Sequence, residues 1–187
     1  MSSQKAIIVV PYDPNWVRQF DALYEQIWPA VSDFAIGLEH VGSTAVVGLA
    51  AKPIIDLDVI VPGPACLAEC KARLADLGYR CVGERGVPDR HAFEGGFDGI
   101  EHHLYVCIEG SFSLLNHLLL RDHLQSHPKD AERYGQLKTA LADRHGDDIE
   151  AYIEGKTAFI VGILESYGCR TSDLSTVAAV NKKPTPS

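Results

Sequence analysis

The sequence predicts an α+β domain of mixed α/β character, with a small mixed β-sheet flanked by helices and a helical C-terminal third. Over the first 108 residues, short runs of strand-forming residues alternate with helical stretches but form no regular βαβαβ series. From residue 111 onward, apolar residues recur at helical spacing instead. These two patterns favour a sheet with intervening helices over a doubly wound fold.

The first half of the chain is predicted to begin with a short extended lead over 7–10, followed by a helix. An Asp-Pro pair is typical of a helix start, and the apolar spacing extends that helix over about 14–32. A short strand follows and stops at Gly42, and a short helix is expected over about 43–50. The segment 54–61 is mostly β-branched apart from two aspartates, which predicts a central strand that carries acidic residues.

The remaining elements follow from turn residues and periodicity. A helix is predicted from Pro64 to just before Gly78. Strands are expected over 79–84, 90–94 and 100–108, and helices over about 112–125, 129–144 and 148–167. We expect residues 1–169 to form one domain, whose helical part covers about 111–168. Residues 170–187, rich in Ser, Thr, Lys and Pro and without periodicity, are predicted to be a disordered tail.

The charge balance restricts the class of partner. With 17 Lys and Arg against 25 Asp and Glu, the formal net charge is -8, and no long basic run is present. Non-specific attraction to a polyanion is therefore weak, and a nucleic acid partner is disfavoured. A single nucleotide is not excluded, because its site needs only a few local cations and a divalent metal.

The cysteines and the N-terminus indicate a cytoplasmic protein. The five cysteines form no CxxC pair and sit mostly in apolar runs, as reduced core residues do. The N-terminal apolar run is too short for a signal peptide, and no stretch approaches the roughly 20 apolar residues of a membrane span. We therefore expect neither export nor membrane insertion.

Asp56 and Asp58 are the candidate metal ligands. Residues two apart in a strand point to the same face, so the two carboxylates project together. Their repulsion is relieved by a hard divalent cation such as Mg²⁺, which also leaves coordination positions for substrate phosphates. The alternative is a pair of acids that simply reaches solvent at the end of a strand.

The segment Gly42-Ser43-Thr44 is a candidate phosphate seat. A glycine between a strand and a helix start lets an anion approach backbone N–H groups, and a hydroxyl adds one hydrogen bond. Ser43 or Thr44 could equally serve only as a helix cap. The Gly-Ser pair is a weak signal when taken alone.

Together, a strand, a Gly-Ser turn and a strand with alternating aspartates resemble the signature of the nucleotidyltransferase superfamily. Over roughly residues 7–167 the chain further resembles the GrpB family. The segments that carry this resemblance are 40–46, 48–49, 51–56, 102–104, 121–122, 127–128, Tyr134 and 137–138. The resemblance implies a nucleotidyltransferase fold but no particular substrate. Val47 stands where many relatives have proline, and Tyr105 stands where the family pattern has a second histidine.

Nucleotidyltransferases of this pattern use a third carboxylate on a later strand, which the resemblance implies here as well. Glu101, His103 and Tyr105 share one face of the strand 100–108. Glu101 is therefore the candidate third acid and metal ligand, and His103 is a candidate ligand or general base. Glu94 competes with Glu101, and a solvated hairpin edge is the alternative for both Glu101 and His103.

The candidate cations for a triphosphate are, in chain order, Lys52, Arg90, Arg121, Lys138 and Lys156. Arg121 and Lys156 rank above the others because each lies within an apolar helical stripe, where a cation requires a specific reason.

Three functions remain open from the sequence. The first is Mg²⁺-dependent nucleotidyl transfer from a nucleoside triphosphate to a small-molecule or protein acceptor. The second keeps the fold but uses His40, His103, Asp58 and Glu101 to bind Mn²⁺, Fe or Zn. The third is a non-catalytic module that binds a nucleotide or another ligand.

Overall fold

The computed structural model describes residues 6–182, and the helices and strands named here lie within that range. In chain order they are α1 (Asn15–Val31), β1 (Gly37–Val41), β2 (Ile55–Val61), α2 (Leu67–Asp76), β3 (Tyr79–Gly83), β4 (Arg90–Gly95), β5 (His102–Ile108), α3 (Phe112–Ser126), α4 (Pro128–His145), α5 (Ile149–Ser166) and α6 (Thr171–Val180). Every strand and every helix except α6 closely follows the sequence prediction.

The five strands form one mixed sheet in the order β1-β2-β5-β4-β3. The central strands β2 and β5 are parallel, and the other neighbouring pairs are antiparallel. The parallel register places Asp56 beside His103 and Asp58 beside Tyr105. Because side chains alternate along a strand, these four residues project from the same face of the sheet.

The other face of the sheet carries the main apolar core. The alternate residues Ile55, Leu57 and Val59 of β2 are fully buried there, against α1 and α2. Full burial of each such side chain contributes roughly 1.5–3 kcal/mol. The pattern of β2 therefore fixes which face meets the helices, and the aspartates are left on the opposite face.

The face that carries the aspartates is covered by the helical third of the chain. Beyond Asp58, Ile60 and Cys107 pack against Leu114 of α3. The loop between β1 and β2 packs through Val46 and Leu49 onto the cluster formed by α3, α4 and α5. These contacts hold the C-terminal helices over the β2–β5 edge of the sheet.

The helix predicted over 43–50 is wrong except at its start. The structure forms a single 3₁₀ turn, Ser43–Ala45, because Val46 is extended and Gly48 has a positive φ of 82°. The chain then continues to Ala51, which forms an isolated antiparallel bridge with Val10. Among the described residues before α1, only Val10 forms a β-bridge, so the extended lead predicted over 7–10 is found at a single residue.

The prediction of a disordered segment from residue 170 is wrong over α6. Leu174 and Val177 are three residues apart, a helical spacing that the Ser- and Thr-rich composition obscured, and Leu174 is buried. Arg170 precedes the helix and forms an ion pair with Asp173 in its first turn. Residues 183–187 of the predicted tail lie outside the described residues.

Within residues 6–182, no helix has the length and apolar character needed to cross a membrane.

Candidate active site

A cavity of about 770 Å³ lies on the face of the sheet that carries the aspartates, and it is called the main cavity here. Its walls come from β2, β4 and β5 on one side and from α4 and α5 on the other. The defining residues are Ser43, Lys52, Asp56, His103, Lys138 and Lys156. The structure therefore brings together most of the residues singled out in the sequence.

Asp56 and Gly42 are in direct contact. Gly42 has a φ of 71°, which favours glycine, and a Cβ atom added there would overlap Oδ2 of Asp56. The turn that begins at Ser43 is thus held against the carboxylate. Gly42 is required at this position both by its backbone conformation and by the approach of Asp56.

The carboxylate of Asp56 is also fixed by His103. Nδ1 of His103 lies 2.9 Å from Oδ1 of Asp56, and because a carboxylate only accepts, Nδ1 carries the proton. The side chain of His103 is 49% exposed. His103 is consequently an orienting partner of Asp56 at an open wall of the main cavity, where the sequence predicted a metal ligand or a general base.

Asp58 is paired with His117, a residue that the sequence reasoning missed. Asp58 is fully buried, and its Oδ2 accepts from Nδ1 of His117 at 2.7 Å. Burial by itself lowers the pKa of His117, but the charge and hydrogen bond of Asp58 outweigh it and raise the pKa above its usual value. The available signal was a histidine in α3 on the same helical stripe as Leu114 and Leu118.

The predicted three-carboxylate set of Asp56, Asp58 and Glu101 is not formed. Among residues 6–182, no three His, Cys, Asp or Glu side chains are grouped so as to hold a metal ion. Glu101 precedes the first paired residue of β5 and lies at the exposed rim of the main cavity, whereas Tyr105 occupies the place opposite Asp58. The competing candidate, Glu94, is engaged in ion pairs with Arg80 and Arg85.

His40 and Thr44 are structural residues. Oγ1 of Thr44 donates to the carbonyl of Ile54 at 3.3 Å and accepts from Nε2 of His40 at 3.0 Å. The His40 ring is stacked on Phe20, and burial lowers its pKa to about 4. Neither the predicted metal role of His40 nor a phosphate-binding role for the Thr44 hydroxyl fits these contacts.

Lys138 is the most deeply buried charged side chain of the main cavity. It is 2% exposed, and within the described part of the chain Nζ has no hydrogen-bond partner. Nζ lies 4.7 Å from the centre of the Tyr134 ring. Burial, reinforced by the neighbouring Lys156, lowers the pKa of Lys138 to about 7. A buried amine of this kind is a ready binding partner for an anion.

Lys156 and Lys52 complete the basic wall. Burial, with a smaller effect of Lys52, lowers the pKa of Lys156 to about 8. Nζ of Lys156 lies 4.5 Å from the centre of the Tyr152 ring. Both lysines, which the sequence analysis named as candidate cations, line the main cavity. The three amines and the carboxylate of Asp56 therefore face one volume.

Arg121 does not line the main cavity. Its guanidinium donates to Oε2 of Glu39 at 2.7 Å, to the carbonyl of His40 at 3.0 Å and to Asp122 at 2.8 Å. These bonds tie α3 to β1. The reason for a cation within the apolar stripe of α3 is thus structural, and its predicted role in nucleotide binding is wrong.

Arg90 lines the main cavity together with Tyr105. Its guanidinium carbon is 4.6 Å from the centre of the Tyr105 ring, and its Nε is buried without a hydrogen-bond partner in the described residues. Tyr105 also contacts the ring of His117, at 5.8 Å between centres. Arg90 and Tyr105 together form the wall beside Asp58.

Comparison with known proteins identifies the family. The model of the family described as GrpB protein matches residues 6–166. The UPF0157 protein PA4798 of Pseudomonas aeruginosa is 40% identical over 162 residues, covering 84% of this chain and 66% of that protein. The UPF0157 protein YqkA of Bacillus subtilis is 32% identical over 157 residues, covering 84% and 46%. The chain thus spans about half to two thirds of the length of these relatives.

Solved structures show the same fold. The conserved protein GrpB from Enterococcus faecalis matches with a TM-score of 0.76 at 34% identity, over 90% of this chain and 98% of that one. The GLD-2/RNP-8 complex matches with a TM-score of 0.56 at 14% identity, over 88% of this chain and 64% of that one. The poly(U) polymerase Cid1 with MgGTP matches with a TM-score of 0.53 at 16% identity, over 72% of this chain and 45% of that one. The predicted nucleotidyltransferase-like fold is confirmed.

Proposed function

Because this chain belongs to the GrpB family and has a nucleotidyltransferase-like fold, we propose that it transfers a nucleotidyl group from a nucleoside triphosphate. The reaction uses Mg²⁺, and the acceptor is a small molecule or a protein. The acceptor hydroxyl or amine attacks the α-phosphorus and gives up its proton to solvent, the bond between the α-phosphorus and the oxygen that bridges to the β-phosphorus breaks, and pyrophosphate leaves with that oxygen. The net charge of -8 disfavours a polynucleotide acceptor.

The observation that carries this proposal is the meeting of opposite charges in the main cavity. Asp56, held at the Gly42 turn, faces a volume that Lys52, Lys138 and Lys156 also line. A triphosphate with a bound metal ion has complementary charges, because its phosphate oxygens bind cations and the metal ion binds a carboxylate. A cavity of about 770 Å³ is also within the usual size for a small-molecule ligand.

The two aspartates fit a divalent cation. Within the described residues Oδ1 of Asp58 is buried without a hydrogen-bond partner, and Oδ2 of Asp56 lies at the Gly42 turn. Mg²⁺ usually takes only one or two carboxylates together with waters and substrate phosphates, so a third acid is not required for binding. When bound, the ion neutralises charge on the reacting phosphate and polarises it.

The chain's own residues divide the remaining work. The backbone at Gly42 and Ser43 seats phosphate oxygens, and the lysines of α4 and α5 neutralise the departing pyrophosphate. His103 holds the carboxylate of Asp56 in one orientation, and His117 does the same for Asp58. Each of these bonds leaves one carboxylate oxygen for a further partner.

One observation favours a second candidate function. Opposite Asp58 the sheet carries Tyr105 in place of an acid, so the site has two carboxylates. Such a site suits a non-catalytic module that binds Mg-nucleotide without turning it over. The transition-metal alternative has less support, because the His40 ring forms a hydrogen bond with Thr44 and stacks on Phe20.

Calorimetric titration of ATP with Mg²⁺ tests the proposal. We expect the wild type to bind, and Asp56→Asn to bind at least about tenfold more weakly, the change that corresponds to a loss of about 1.4 kcal/mol. Asp98→Asn, at an exposed position outside the main cavity, is the matched control. Failure of the wild type to bind any nucleoside triphosphate with Mg²⁺ would falsify the proposal.

Pyrophosphate release separates the two candidates. Transfer predicts slow release of pyrophosphate from ATP that Asp56→Asn abolishes. Binding without release, under conditions where nucleotide saturates the protein, identifies the non-catalytic module. Metal analysis of the purified protein addresses the transition-metal alternative, which requires tightly held Mn, Fe or Zn.

A further inference from the structure

The connection between β3 and β4 brings a further cation, Arg85, to the main cavity. Its side chain is 56% exposed, so the guanidinium is accessible to a ligand. In the structure the guanidinium forms an ion pair with Glu94, which lines the same cavity from β4. Arg85 is not one of the candidate cations that the sequence indicated for a triphosphate.

Arg85 occupies a turn position that favours other residue types. The N–H of Val87 donates to the carbonyl of Glu84 at 3.0 Å, and between these residues Arg85 and Gly86 have positive φ values of 49° and 80°. Two consecutive positive φ values are typical of a type I′ turn, whose first central position favours Asn, Asp or Gly. The local backbone therefore does not explain an arginine here, and its side chain requires another reason.

The backbone of this connection is anchored beyond the turn. Oε1 of Glu84 accepts from the N–H of Asp89 at 2.9 Å, and the carbonyl of Asp89 accepts from the N–H of Ile108 in β5 at 3.1 Å. These bonds tie the connection to the sheet and keep Arg85 at the rim of the main cavity. The guanidinium can therefore exchange one partner for another by rotation of its exposed side chain, without displacement of the turn.

Glu94 keeps a second cation when Arg85 leaves it. Its Oε2 accepts from Arg80 at 2.5 Å, and its Oε1 accepts from Arg85. Arg80 lies outside the main cavity and is 72% exposed. Exposed ion pairs contribute little to stability, and Arg80 continues to neutralise Glu94. The exchange of Glu94 for another anion is therefore inexpensive for Arg85.

Arg85 and Glu94 lie on the side of the sheet that carries the aspartates. Ala92 of β4 pairs with Tyr105 of β5, and Glu94, two residues further along β4, projects from the same face. Burial is the main cause that raises the pKa of Tyr105 to about 12, while the charge of Asp56 raises this pKa further and the charge of Arg85 lowers it. The same hydroxyl group thus senses both charges, and Asp56 and Arg85 face one part of the main cavity.

We propose that Arg85 binds the phosphates of the nucleotide in the main cavity, and that Glu94 holds its guanidinium at the rim until nucleotide enters. This inference rests on the proposed nucleotidyl transfer. A guanidinium binds two phosphate oxygens at once, and a triphosphate carries more negative charge than one carboxylate, so it displaces Glu94. The phosphates are then held between Arg85 beside the sheet and Lys156 of α5, which line the same volume.

Calorimetric titration of Mg-ATP into Arg85→Asn tests the contact. Because asparagine suits the turn, we expect unchanged or higher stability in urea, whereas affinity should fall at least about tenfold. Arg73→Gln is the matched control, since it removes a partly exposed arginine that pairs with Glu69 and Asp33 outside the main cavity, and it should leave affinity unchanged. Lower stability of Arg85→Asn without a loss of affinity, or equal losses of affinity in both variants, overturns the proposal.

Glu94→Gln tests the restraint of Arg85. We expect this variant to bind Mg-ATP roughly two- to fivefold more tightly, the factor that corresponds to an exposed ion pair that no longer has to be broken. In the Arg85→Asn background the same change should leave affinity unchanged. An equal rise in both backgrounds would show that Glu94 only repels the nucleotide, and a fall in Glu94→Gln would contradict the restraint directly.

Inorganic tripolyphosphate distinguishes this inference from the proposed function. Titrated without Mg²⁺, it probes the cations of the main cavity alone, and we expect it to bind the wild type more tightly than Arg85→Asn. A wild type that shows this difference but binds no nucleoside triphosphate with Mg²⁺ overturns the proposed function and leaves Arg85 as an anion-binding residue. Binding of Mg-ATP that is equal in the wild type and Arg85→Asn overturns the role of Arg85 while the proposed function stands.

Discussion

The carboxylate of Asp56 lies against the Cα atom of Gly42, so closely that any Cβ at position 42 would overlap Oδ2. This contact joins the turn after β1 to the middle of β2 and sets the distance between the backbone N–H groups of the turn and the carboxylate. The geometry of the candidate site therefore depends on one residue without a side chain.

Replacement of Gly42 by alanine is expected to disrupt both stability and binding. The positive φ of 71° and the overlap with Asp56 together predict a loss of about 1–3 kcal/mol in the free energy of unfolding. We also expect Mg-ATP affinity to fall at least tenfold. Gly48→Ala is the matched control, since Gly48 also has a positive φ, of 82°, but a Cβ there meets open space. Equal loss of binding in both variants contradicts the role of the Asp56 contact.

Lys138→Met is expected to separate stability from binding. Methionine keeps the volume of the side chain and removes a buried amine that has no hydrogen-bond partner in the described residues, so we expect unchanged or higher stability in urea. Nucleotide affinity should fall about ten- to a hundredfold, as expected for the loss of a charge-assisted hydrogen bond. Lys129→Met, exposed on the same helix, should alter neither property.

Nucleotide affinity is expected to fall as the pH rises from about 6 to 9. Lys138 and Lys156 have pKa values lowered to about 7 and about 8, so both amines lose their charge within this range. The cavity then binds a triphosphate less tightly. Calorimetry across the range should show a decline in the wild type that is smaller in Lys138→Met. A flat profile in the wild type would show that these amines do not contact the phosphates.

The stability of the ligand-free protein is expected to have the opposite pH dependence. Lys138 titrates near 10.5 in the unfolded chain and near 7 in the folded protein, so between these values the unfolded state binds more protons. Stability then rises with pH, by up to about 1.4 kcal/mol per pH unit from this group. Urea unfolding over this range should give a smaller slope in Lys138→Met than in the wild type.

His117→Gln is expected to destabilise the protein in a pH-dependent way. The folded pKa of His117 is raised, so its pairing with Asp58 stabilises fully below the usual value of 6.5 and is lost as the pH rises through the folded pKa. The deficit of the variant should therefore be larger near about pH 6 than near about pH 9. His145→Gln, which lacks a side-chain hydrogen bond in the described residues, should show no such trend. A deficit that is the same at both pH values contradicts a charged pair.

Local sequence patterns predicted the position of a side chain correctly where that position depends only on its own strand or turn. The period of β2 predicted that Asp56 and Asp58 share a face, and the Gly-Ser pair predicted the turn beside them. Both are found, because alternation along a strand and the conformational freedom of glycine are properties of a few consecutive residues.

Partners that are distant in the sequence escaped prediction. No sequence pattern indicates that His117 forms a hydrogen bond with Asp58, which lies 59 residues earlier. Nor does any pattern indicate that Arg121 pairs with Glu39 instead of binding a ligand. The third-acid prediction failed for a related reason. The parallel register of β2 and β5, which no local pattern sets, places His103 and Tyr105 beside the aspartates. Glu101 precedes His102, the first residue of β5 that pairs with β2.

The sequence by itself determined the order of elements, the apolar and polar faces of β2, and the presence of two carboxylates next to a glycine turn. Only the tertiary structure decided which charges face the main cavity, that Lys138 is buried without a hydrogen-bond partner among the described residues, and that Thr171–Val180 form a helix. The physical reason is that periodicity and turn chemistry act over a few residues, whereas burial, pKa shifts and strand register depend on segments that meet only in the folded chain.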